Sequence, residues 1–168
     1  MKTTTKFGLI IAMGLFISNN GFARHGGTEG YLSALGARGG PLYGITYKHF
    51  FAPYNAIEII AGSEWNGYSL TGLYEFEKEF KAVNGLYWFI GAGLNAGVYQ
   101  KKYYFIEKQY ATDLSTIEAA GVDAIVGLEY KISVIPLCIS LDIKPIYNFY
   151  NVNQATYDFA LSLRYILK

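Results

Sequence analysis

The chain has 168 residues, a length that suits one domain. It is 52% hydrophobic and 17% aromatic and contains 19 Gly and 16 Tyr, which is more of both than an ordinary globular domain carries. The formal net charge of +1 gives no case for a nucleic-acid partner, and the single cysteine, Cys138, excludes an intramolecular disulfide.

Residues 1–23 have the layout of a secretory signal peptide. Lys2 and Lys6 precede an apolar run over 7–17, and small residues ending in Ala23 follow it. The apolar run is shorter than the ~20 residues that a membrane-spanning helix needs. We therefore predict a signal peptide that is cleaved after Ala23, followed by an exported domain over 24–168. No later run is long and uncharged enough for a spanning helix, so any membrane crossing must be by strands.

Four predicted strands follow the leader at short intervals, over about 29–37, 42–51, 56–64 and 68–77. In each strand apolar and polar residues alternate with a period of two, which is the pattern of a strand with one apolar and one polar face. The sequences RGGP, APYN and WNG separate these strands, and Asn-Gly is a strong hairpin signal.

Four further strands are predicted over about 86–99, 121–132, 137–147 and 156–167. They are connected by a polar segment at 78–85, a long aromatic and charged segment at 100–120, the turn SVIP, and a loop at 148–155. A GxG sequence at 91–93 lies in the middle of a strand with no helix after it. It therefore indicates small residues in a crowded interior rather than a phosphate-binding loop.

The polar faces of these strands carry many charges of both signs. In a soluble sandwich the apolar faces would be closed by a second sheet, whereas in a membrane barrel they meet lipid and the charges line the interior. Buried charges are tolerated only when they are paired. Since Lys144 and Arg164 lie on neighbouring strands, as do Glu129 and Asp142, we expect cross-strand pairs. The charges predicted to face inward are Lys48, Glu58, Glu75, Glu77, Asp123, Glu129, Lys131, Asp142, Lys144 and Arg164.

Tyrosines on the apolar faces are ordered by height along the strands. Two aromatic rings that bracket an aliphatic band are typical of a barrel in a bilayer, because these amphipathic side chains lie at headgroup depth. A soluble sandwich has no reason for this order. The ring predicted at the periplasmic end contains Tyr47, Tyr74, Tyr130 and Tyr165, and the ring at the opposite end contains Tyr43, Tyr68, Tyr147 and Tyr157.

These patterns together predict an all-β fold, a transmembrane antiparallel up-and-down β-barrel of about eight strands. Eight is the smallest strand number of outer-membrane barrels. With both chain ends on the periplasmic side, the short connections at 52–55 and 133–136 become periplasmic turns. The long connection at 100–120 then lies outside the cell, as long loops do in such barrels.

The chain resembles the small OmpA/OmpX-type outer-membrane barrels in layout. The stretches that resemble a largely uncharacterised family of small Gram-negative outer-membrane barrels are GITYKHFF, LTGLYE, GAGLNAG, GVDAIVGLEYKI, ISLDIKP and LSLRYIL. The resemblance implies the fold and an outer-membrane location, and it implies no particular activity. Such barrels usually end in an aromatic residue, whereas this chain ends Ile-Leu-Lys.

Residues that could carry catalysis are few. Some small outer-membrane barrels modify lipid acyl chains with a His, a Ser and a carboxylate, and a nucleophilic Ser must lie within hydrogen-bonding reach of its base. The histidines are His25, which precedes the first strand, and His49, which we expect at the periplasmic end with no Ser beside it. No Cys and His cluster has metal-ligand spacing. We predict no catalytic residue, no cofactor and no metal.

The resulting functional prediction is a non-enzymatic outer-membrane barrel with a charge-paired, plugged interior. Its role is structural or interactive, through extracellular loops and above all through 100–120, where an extracellular ligand or protein would bind. Its other partner is outer-membrane lipid. A narrow gated pore for small solutes or ions is the first alternative, and a lipid-modifying enzyme is the second. A soluble ligand-binding barrel with its apolar face inside is the last.

Overall fold

A computed structural model describes residues 31–64, 67–100, 116–151 and 154–167. Within these ranges all regular structure is β-strand, and no helix is long and apolar enough to cross a membrane. The strands form one closed barrel in sequential order, and every neighbouring pair is antiparallel. The predicted eight-stranded, all-β, up-and-down barrel is thus confirmed. The strands are β1 (Ser33–Gly39), β2 (Tyr43–Ala52), β3 (Asn55–Glu64), β4 (Gly67–Glu79), β5 (Leu86–Gln100), β6 (Thr116–Ile132), β7 (Leu137–Tyr150) and β8 (Gln154–Leu167).

Closure of the barrel depends on the pairing of β1 with β8. Ser33 lies opposite Leu167 and Gly36 lies opposite Arg164 in this ladder. Because the last strand pairs with the first, no strand of the barrel is left as an edge, and full closure is the arrangement that removes edges.

The two ends of the barrel differ in their connections. The turn end carries the short β2–β3 and β6–β7 turns and the segment 80–85 between β4 and β5. The loop end carries the segments 40–42, 65–66, 101–115 and 151–153.

Several predicted boundaries were wrong because the ladders continue past the apolar alternation. Gln100 pairs with Thr116, so the connection predicted at 100–120 shortens to 101–115, which lies outside the described residues. β7 continues to Tyr150 and β8 begins at Gln154, so the loop predicted at 148–155 shortens to three residues. The predicted signal peptide and its cleavage after Ala23 also lie outside the described residues.

The barrel is apolar outside and polar inside. Leu94 and Leu161 on the outer face are 66% and 57% exposed, whereas Lys48, Glu58 and Arg164 inside are 0% exposed. A globular domain distributes its residues in the opposite way. The outer surface is therefore suited to lipid rather than to water.

Glycines let large interior rings lie against the barrel wall. A Cβ at Gly127 would come within 2.5 Å of the Phe89 ring, and a Cβ at Gly97 would come within 2.7 Å of Tyr99. Covering a strand glycine with an aromatic ring is a known device for stabilising curved sheets. The small residues at 91–97 therefore serve interior packing, as the sequence indicates.

We expect an arginine on the outer face to destabilise the barrel according to its depth. Leu161→Arg, at the middle of β8, should cost about 2–4 kcal/mol in a bilayer, and Leu167→Arg, at the end of the same strand, about 0–1 kcal/mol. Urea unfolding in phospholipid vesicles, followed by tryptophan fluorescence, measures both free energies. Equal losses for the two variants would contradict a lipid-facing outer surface.

Candidate functional site

Arg164 is the centre of a charged cluster in the turn-end half of the barrel. Its Nη2 lies 2.5 Å from Glu58 Oε1, and its Nη1 lies 3.1 Å from Glu129 Oε2. The guanidinium also donates to Ser140 Oγ at 2.8 Å and to Thr46 Oγ1 at 3.3 Å, and Thr46 in turn donates to Glu58 Oε1. Arg164 thus joins residues of β2, β3, β6 and β7, so it holds the wall of the barrel together across the interior.

Two lysines complete this cluster, which we call the Arg164 cluster. Lys48 Nζ lies 2.6 Å from Glu77 Oε2, 2.9 Å from Glu75 Oε2 and 3.5 Å from Glu129 Oε2. Lys131 Nζ lies 2.9 Å from the other oxygen of Glu77. Charge-assisted hydrogen bonds of this kind are about twice as strong as neutral ones. The members of the cluster are Lys48, Glu58, Glu75, Glu77, Glu129, Lys131 and Arg164.

Aromatic rings close the cluster towards the turn end. The Nζ of Lys131 lies 3.6 Å from the ring centroid of Tyr87 and 4.6 Å from that of Tyr31, which is cation–π distance. Tyr31, just before β1, donates a hydrogen bond to Glu129 Oε1 at 2.7 Å and packs edge-on against Phe50. Burial raises the pKa of the Tyr31 phenol well above its usual value, and the Glu129 carboxylate adds to that rise. Tyr31 therefore acts as a neutral hydrogen-bond donor.

A second charged group surrounds Arg38 in the loop-end half. Arg38 donates to both oxygens of Asp142, at 2.7 and 2.8 Å, and to Asp158 Oδ2 at 2.9 Å. Asp158 Oδ1 also accepts from the backbone N–H of Leu42. Arg38 lies in a predicted turn, and Asp158 is not among the predicted inward charges. The alternation along β8 is the signal that could have identified Asp158. It is an even number of residues away from Ser162 and Arg164 and therefore faces the same side of the strand.

Lys144 forms a third polar group near the loop end. Its Nζ lies 3.2 Å from Asp123 Oδ2 and 3.5 Å from Thr71 Oγ1. Asn95 donates to Asp123 Oδ1. Both oxygens of this carboxylate are therefore hydrogen-bonded.

A buried apolar layer separates these groups from the Arg164 cluster. On β4, Leu73 lies between Thr71 and Glu75, and on β6, Ile125 lies between Asp123 and Glu129. Apolar side chains at these positions fill the cross-section where neither polar group reaches. The layer consists of Leu42, Ile60, Leu73, Phe89 and Ile125, each no more than 2% exposed.

The structure places all ten predicted inward charges inside the barrel, but it pairs them differently from the prediction. Lys144 pairs with Asp123 on β6 rather than with a residue of β8, and Glu129 pairs with Lys48 and Arg164 rather than with a residue of β7. Within the described residues, the ion pairs between neighbouring strands are Lys144–Asp123 and Arg38–Asp158. The other pairs cross the interior because arginine, lysine and glutamate are long enough to span an eight-stranded lumen.

All eight tyrosines of the predicted aromatic rings lie on the outer face, and Tyr47 is the one that is half-buried. The strand register supports the prediction of two tyrosine rings at different heights along the barrel. Tyr43 and Tyr68 both pair with Ser63 near the loop end, and Tyr47 and Tyr165 both pair with Leu35 near the turn end. Their place at a membrane interface stays a prediction.

The expectation that His49 has no Ser beside it was wrong. Ser33 and His49 are directly opposite each other on β1 and β2, and Ser33 Oγ lies 2.8 Å from His49 Nδ1. Tyr47 donates a hydrogen bond to the same Oγ at 3.2 Å. The alternation along β2 correctly predicts His49 on the outer face. Its neighbours on β1 depend on the register between β1 and β2, which could not be predicted from the sequence.

Two cavities lie at the ends of the barrel. One of about 190 Å³ at the loop end is lined by residues that include Asn95, Lys144 and Tyr157. One of about 680 Å³ at the turn end is lined by residues that include Tyr87 and Lys131. Arg164, Lys48, Glu58, Glu75 and Glu129 line neither of them.

Other chemistry is sparse in the described ranges. They contain no group of three or more His, Cys, Asp or Glu residues that could hold a metal ion. Cys138 is fully buried, and its thiol lies 3.8 Å from the carbonyl oxygen of Arg164. Cys138 is therefore a small interior side chain, and buried free cysteines commonly behave as small hydrophobic residues.

Among solved structures, the chain is similar to the N-terminal β-barrel domain of Pseudomonas aeruginosa OprF, with a TM-score of 0.61. The match covers 80% of this chain and 94% of that domain. The fold is that of an OmpA-type barrel. At 14% sequence identity the likeness concerns the fold alone. No family model and no curated protein matches the sequence.

We expect the Arg164 cluster to dominate the stability of the barrel. Arg164→Met leaves Glu58 and Glu129 as buried carboxylates short of a cation, which should cost about 3–5 kcal/mol. Lys81→Met, which removes an exposed cation from the turn end, should change stability by less than about 0.5 kcal/mol. Urea unfolding in phospholipid vesicles compares the two.

A triple variant tests the cause of this loss. If the uncompensated carboxylates are responsible, adding Glu58→Gln and Glu129→Gln to Arg164→Met should restore part of the stability, because contacting residues are not additive. A loss for Arg164→Met no larger than that for Lys81→Met would refute the assignment.

Proposed function

We propose that this protein is a non-enzymatic outer-membrane barrel whose interior is closed to solutes. The observation that carries the proposal is the Arg164 cluster. Arg164, Lys48, Glu58, Glu75, Glu77 and Glu129 are each 0% exposed, and their side chains meet across the lumen. An eight-stranded barrel has an interior just wide enough for side chains to fill. A continuous water path would have to displace these ion pairs.

The outer membrane is the proposed location because the outer face matches a bilayer. Aliphatic residues such as Leu94 and Leu141 cover the middle of the wall, and exposed tyrosines lie towards both ends. In this orientation the turn end faces the periplasm and the loop end faces outward. Outer-membrane lipid would then be the partner of the whole outer face.

The loop end is where we place the interactive role. β5 and β6 have 15 and 17 residues, whereas a spanning strand needs about 9–11. The surplus would raise this hairpin above the membrane surface. Phe149 and Tyr150 at the end of β7 are 58% and 52% exposed in the same region. These strands would present the connection 101–115 to an extracellular ligand or protein.

We expect the wild-type protein to be silent in planar lipid bilayers, because the Arg164 cluster closes the lumen. A variant with Lys48, Glu58, Glu75 and Arg164 all changed to Ser removes two cations and two carboxyl groups, so it widens the lumen without changing the formal net charge. Discrete conductance from this variant shows that the assay can detect an open barrel. Heat-modifiable gel mobility checks that both proteins are folded.

Reproducible conductance steps from the wild-type protein would contradict the closed interior. They would favour the alternative, a narrow gated pore. Neutralising Arg164 or Glu129 would then change the size of the steps, since both side chains lie across the lumen.

The Ser33–His49 contact favours a second candidate function, lipid acyl hydrolysis at the turn end. A nucleophilic serine needs an adjacent base, and the base is usually oriented by a third group. Within the described residues no carboxylate is hydrogen-bonded to His49, and Ser33 lies in a strand whose backbone is paired with both neighbours. Hydrogen-bond donors for an oxyanion are not present in such a ladder. The contact is therefore better explained as a cross-strand hydrogen bond.

We expect no hydrolysis of short-chain or long-chain esters that depends on Ser33. Wild type, Ser33→Ala and, as a matched serine on the same face, Ser63→Ala are compared in detergent micelles and in vesicles. Activity that is present in the wild type and in Ser63→Ala, and lost in Ser33→Ala, would establish the enzymatic alternative.

A further inference from the structure

We propose that Glu58 and Glu75 bind one proton between them at neutral pH, so that the Arg164 cluster is electrically neutral. Three observations carry this inference: the number of charges in the cluster, three carboxylate oxygens that accept no hydrogen bond, and the position of the two side chains on neighbouring strands. The proposed ligand is a proton, and its site lies inside the lumen.

The first observation is that the charges of the Arg164 cluster do not balance. Its cations are Lys48, Lys131 and Arg164, and its carboxylates are Glu58, Glu75, Glu77 and Glu129. All of their side chains are 0% exposed except Lys131, which is 10% exposed. An unpaired charge in such a site is very costly, and a buried carboxylate normally takes up a proton instead.

The second observation identifies which carboxylates carry the excess negative charge. Glu58 Oε2 and both oxygens of Glu75 are buried and accept no hydrogen bond from any described residue, although Lys48 Nζ lies 2.9 Å from Glu75 Oε2 as an ion pair. Both oxygens of Glu77 lie within 2.9 Å of a lysine, and both oxygens of Glu129 accept hydrogen bonds, from Tyr31 and Arg164. The shortage of donors is therefore confined to Glu58 and Glu75.

The third observation is that these two side chains meet. On the β3–β4 ladder Glu58 pairs with Leu73, and Ala56 pairs with Glu75. Inward residues in this diagonal relation are about 7–8 Å apart at the backbone, within reach of two long side chains. The two carboxyl groups lie at hydrogen-bonding distance from each other. One proton between them supplies a donor for Glu58 Oε2 and Glu75 Oε1, while Glu75 Oε2 stays beside Lys48.

The same argument does not apply to the aspartates of the loop-end half. Asp142 and Asp158 also outnumber their cation, Arg38. However, all four of their oxygens accept a hydrogen bond, three from Arg38 and one from the backbone of Leu42. Orphan oxygens, and not the count of charges alone, distinguish the Glu58–Glu75 pair.

A proton fits this site better than a metal cation does. Lys48 Nζ already lies 2.9 Å from Glu75 Oε2 and Arg164 lies 2.5 Å from Glu58 Oε1, so a metal ion at the pair would be repelled by two neighbouring cations. The charged groups that face Glu75 come from every element packed against it: Lys48 on β2, Glu58 on β3, Glu77 on its own strand, Glu129 and Lys131 on β6, and Arg164 on β8.

Infrared spectroscopy of the refolded protein in vesicles tests the charge state directly. The wild type at neutral pH should show the carbonyl stretch of a protonated carboxylic acid. This band should disappear in Glu75→Gln, whose amide replaces the acid with a neutral group of the same shape. It should persist in Asp158→Asn, the matched control, which removes a buried carboxylate of the Arg38 group and leaves the charges of the Arg164 cluster unchanged. A wild-type spectrum without the band would overturn the proposal.

The pH dependence of the free energy of unfolding is an independent test, and the proposal predicts its direction. The folded state would hold one proton that the unfolded chain releases at neutral pH, so stability falls as pH rises. The folding equilibrium constant of the wild type, divided by that of Glu75→Gln, should fall about tenfold per pH unit between about pH 6 and about pH 8. A ratio that is independent of pH would refute the proposal, and a ratio that follows sodium or potassium concentration would show a metal cation in place of the proton.

The proposal stays testable if Glu75→Gln does not refold. In that event the wild type is prepared with isotope-labelled glutamate, and separately with isotope-labelled aspartate. The carboxylic acid band should shift with the glutamate label and not with the aspartate label. A shift with aspartate alone would place the proton elsewhere and overturn the inference.

Discussion

Buried charge is the constraint on which the rest of this barrel depends. In the described part of the chain the interior holds five cations and seven carboxylates, all of them buried. None of these groups can be left without a partner in a dry lumen, because removing a charge from water costs several kcal/mol even after the protein relaxes. The side chains therefore fix one another's positions, and through them the strands. Arg164 and Lys48 each contact carboxylates on two other strands. Ion pairs across the lumen therefore connect the strands in the way that a hydrophobic core does in a globular domain.

The outer face contributes in a different way, since it has nothing to pack against within the chain. Exposed aliphatic residues such as Leu94, Leu141 and Leu161 are stable only where water is absent. The closed hydrogen-bond ladder makes this possible because it pairs the backbone of each strand with both of its neighbours. The interior charges and the outer apolar band are thus two results of one alternation. Each strand sends one set of residues to the lumen and the other to the surroundings, and a slip of one residue would exchange the two sets.

This alternation is also why much of the fold could be predicted from the sequence. Parity alone assigned Lys48, Glu129 and Arg164 to the interior, and it would have assigned Asp158 in the same way. It could not assign partners, because the contacts that matter cross the lumen between strands that are not neighbours. Nor could it supply the register, so the contact between Ser33 and His49 was missed. Strand ends were wrong at 100–120 and 148–155 for a related reason: the hydrogen-bond ladder continues there although polar and aromatic residues obscure the apolar pattern.

The interior is held by ion pairs, whereas the loop end is uneven in height. This difference affects where a specific binding site can arise. β1, β2 and β3 have 7, 10 and 10 residues, whereas β5, β6, β7 and β8 have 14 to 17. The wall is therefore taller on one side, and the taller side carries exposed Phe149 and Tyr150 at its end. Changes to the interior must preserve the pairing of several charges at once, because Glu77 and Glu129 each contact two cations. Residues at the loop end that lie outside the charged interior are under no such constraint. The proposed interactive role therefore fits the tall side of the loop end better than the lumen, and in that proposal the barrel would be the rigid base of the binding surface.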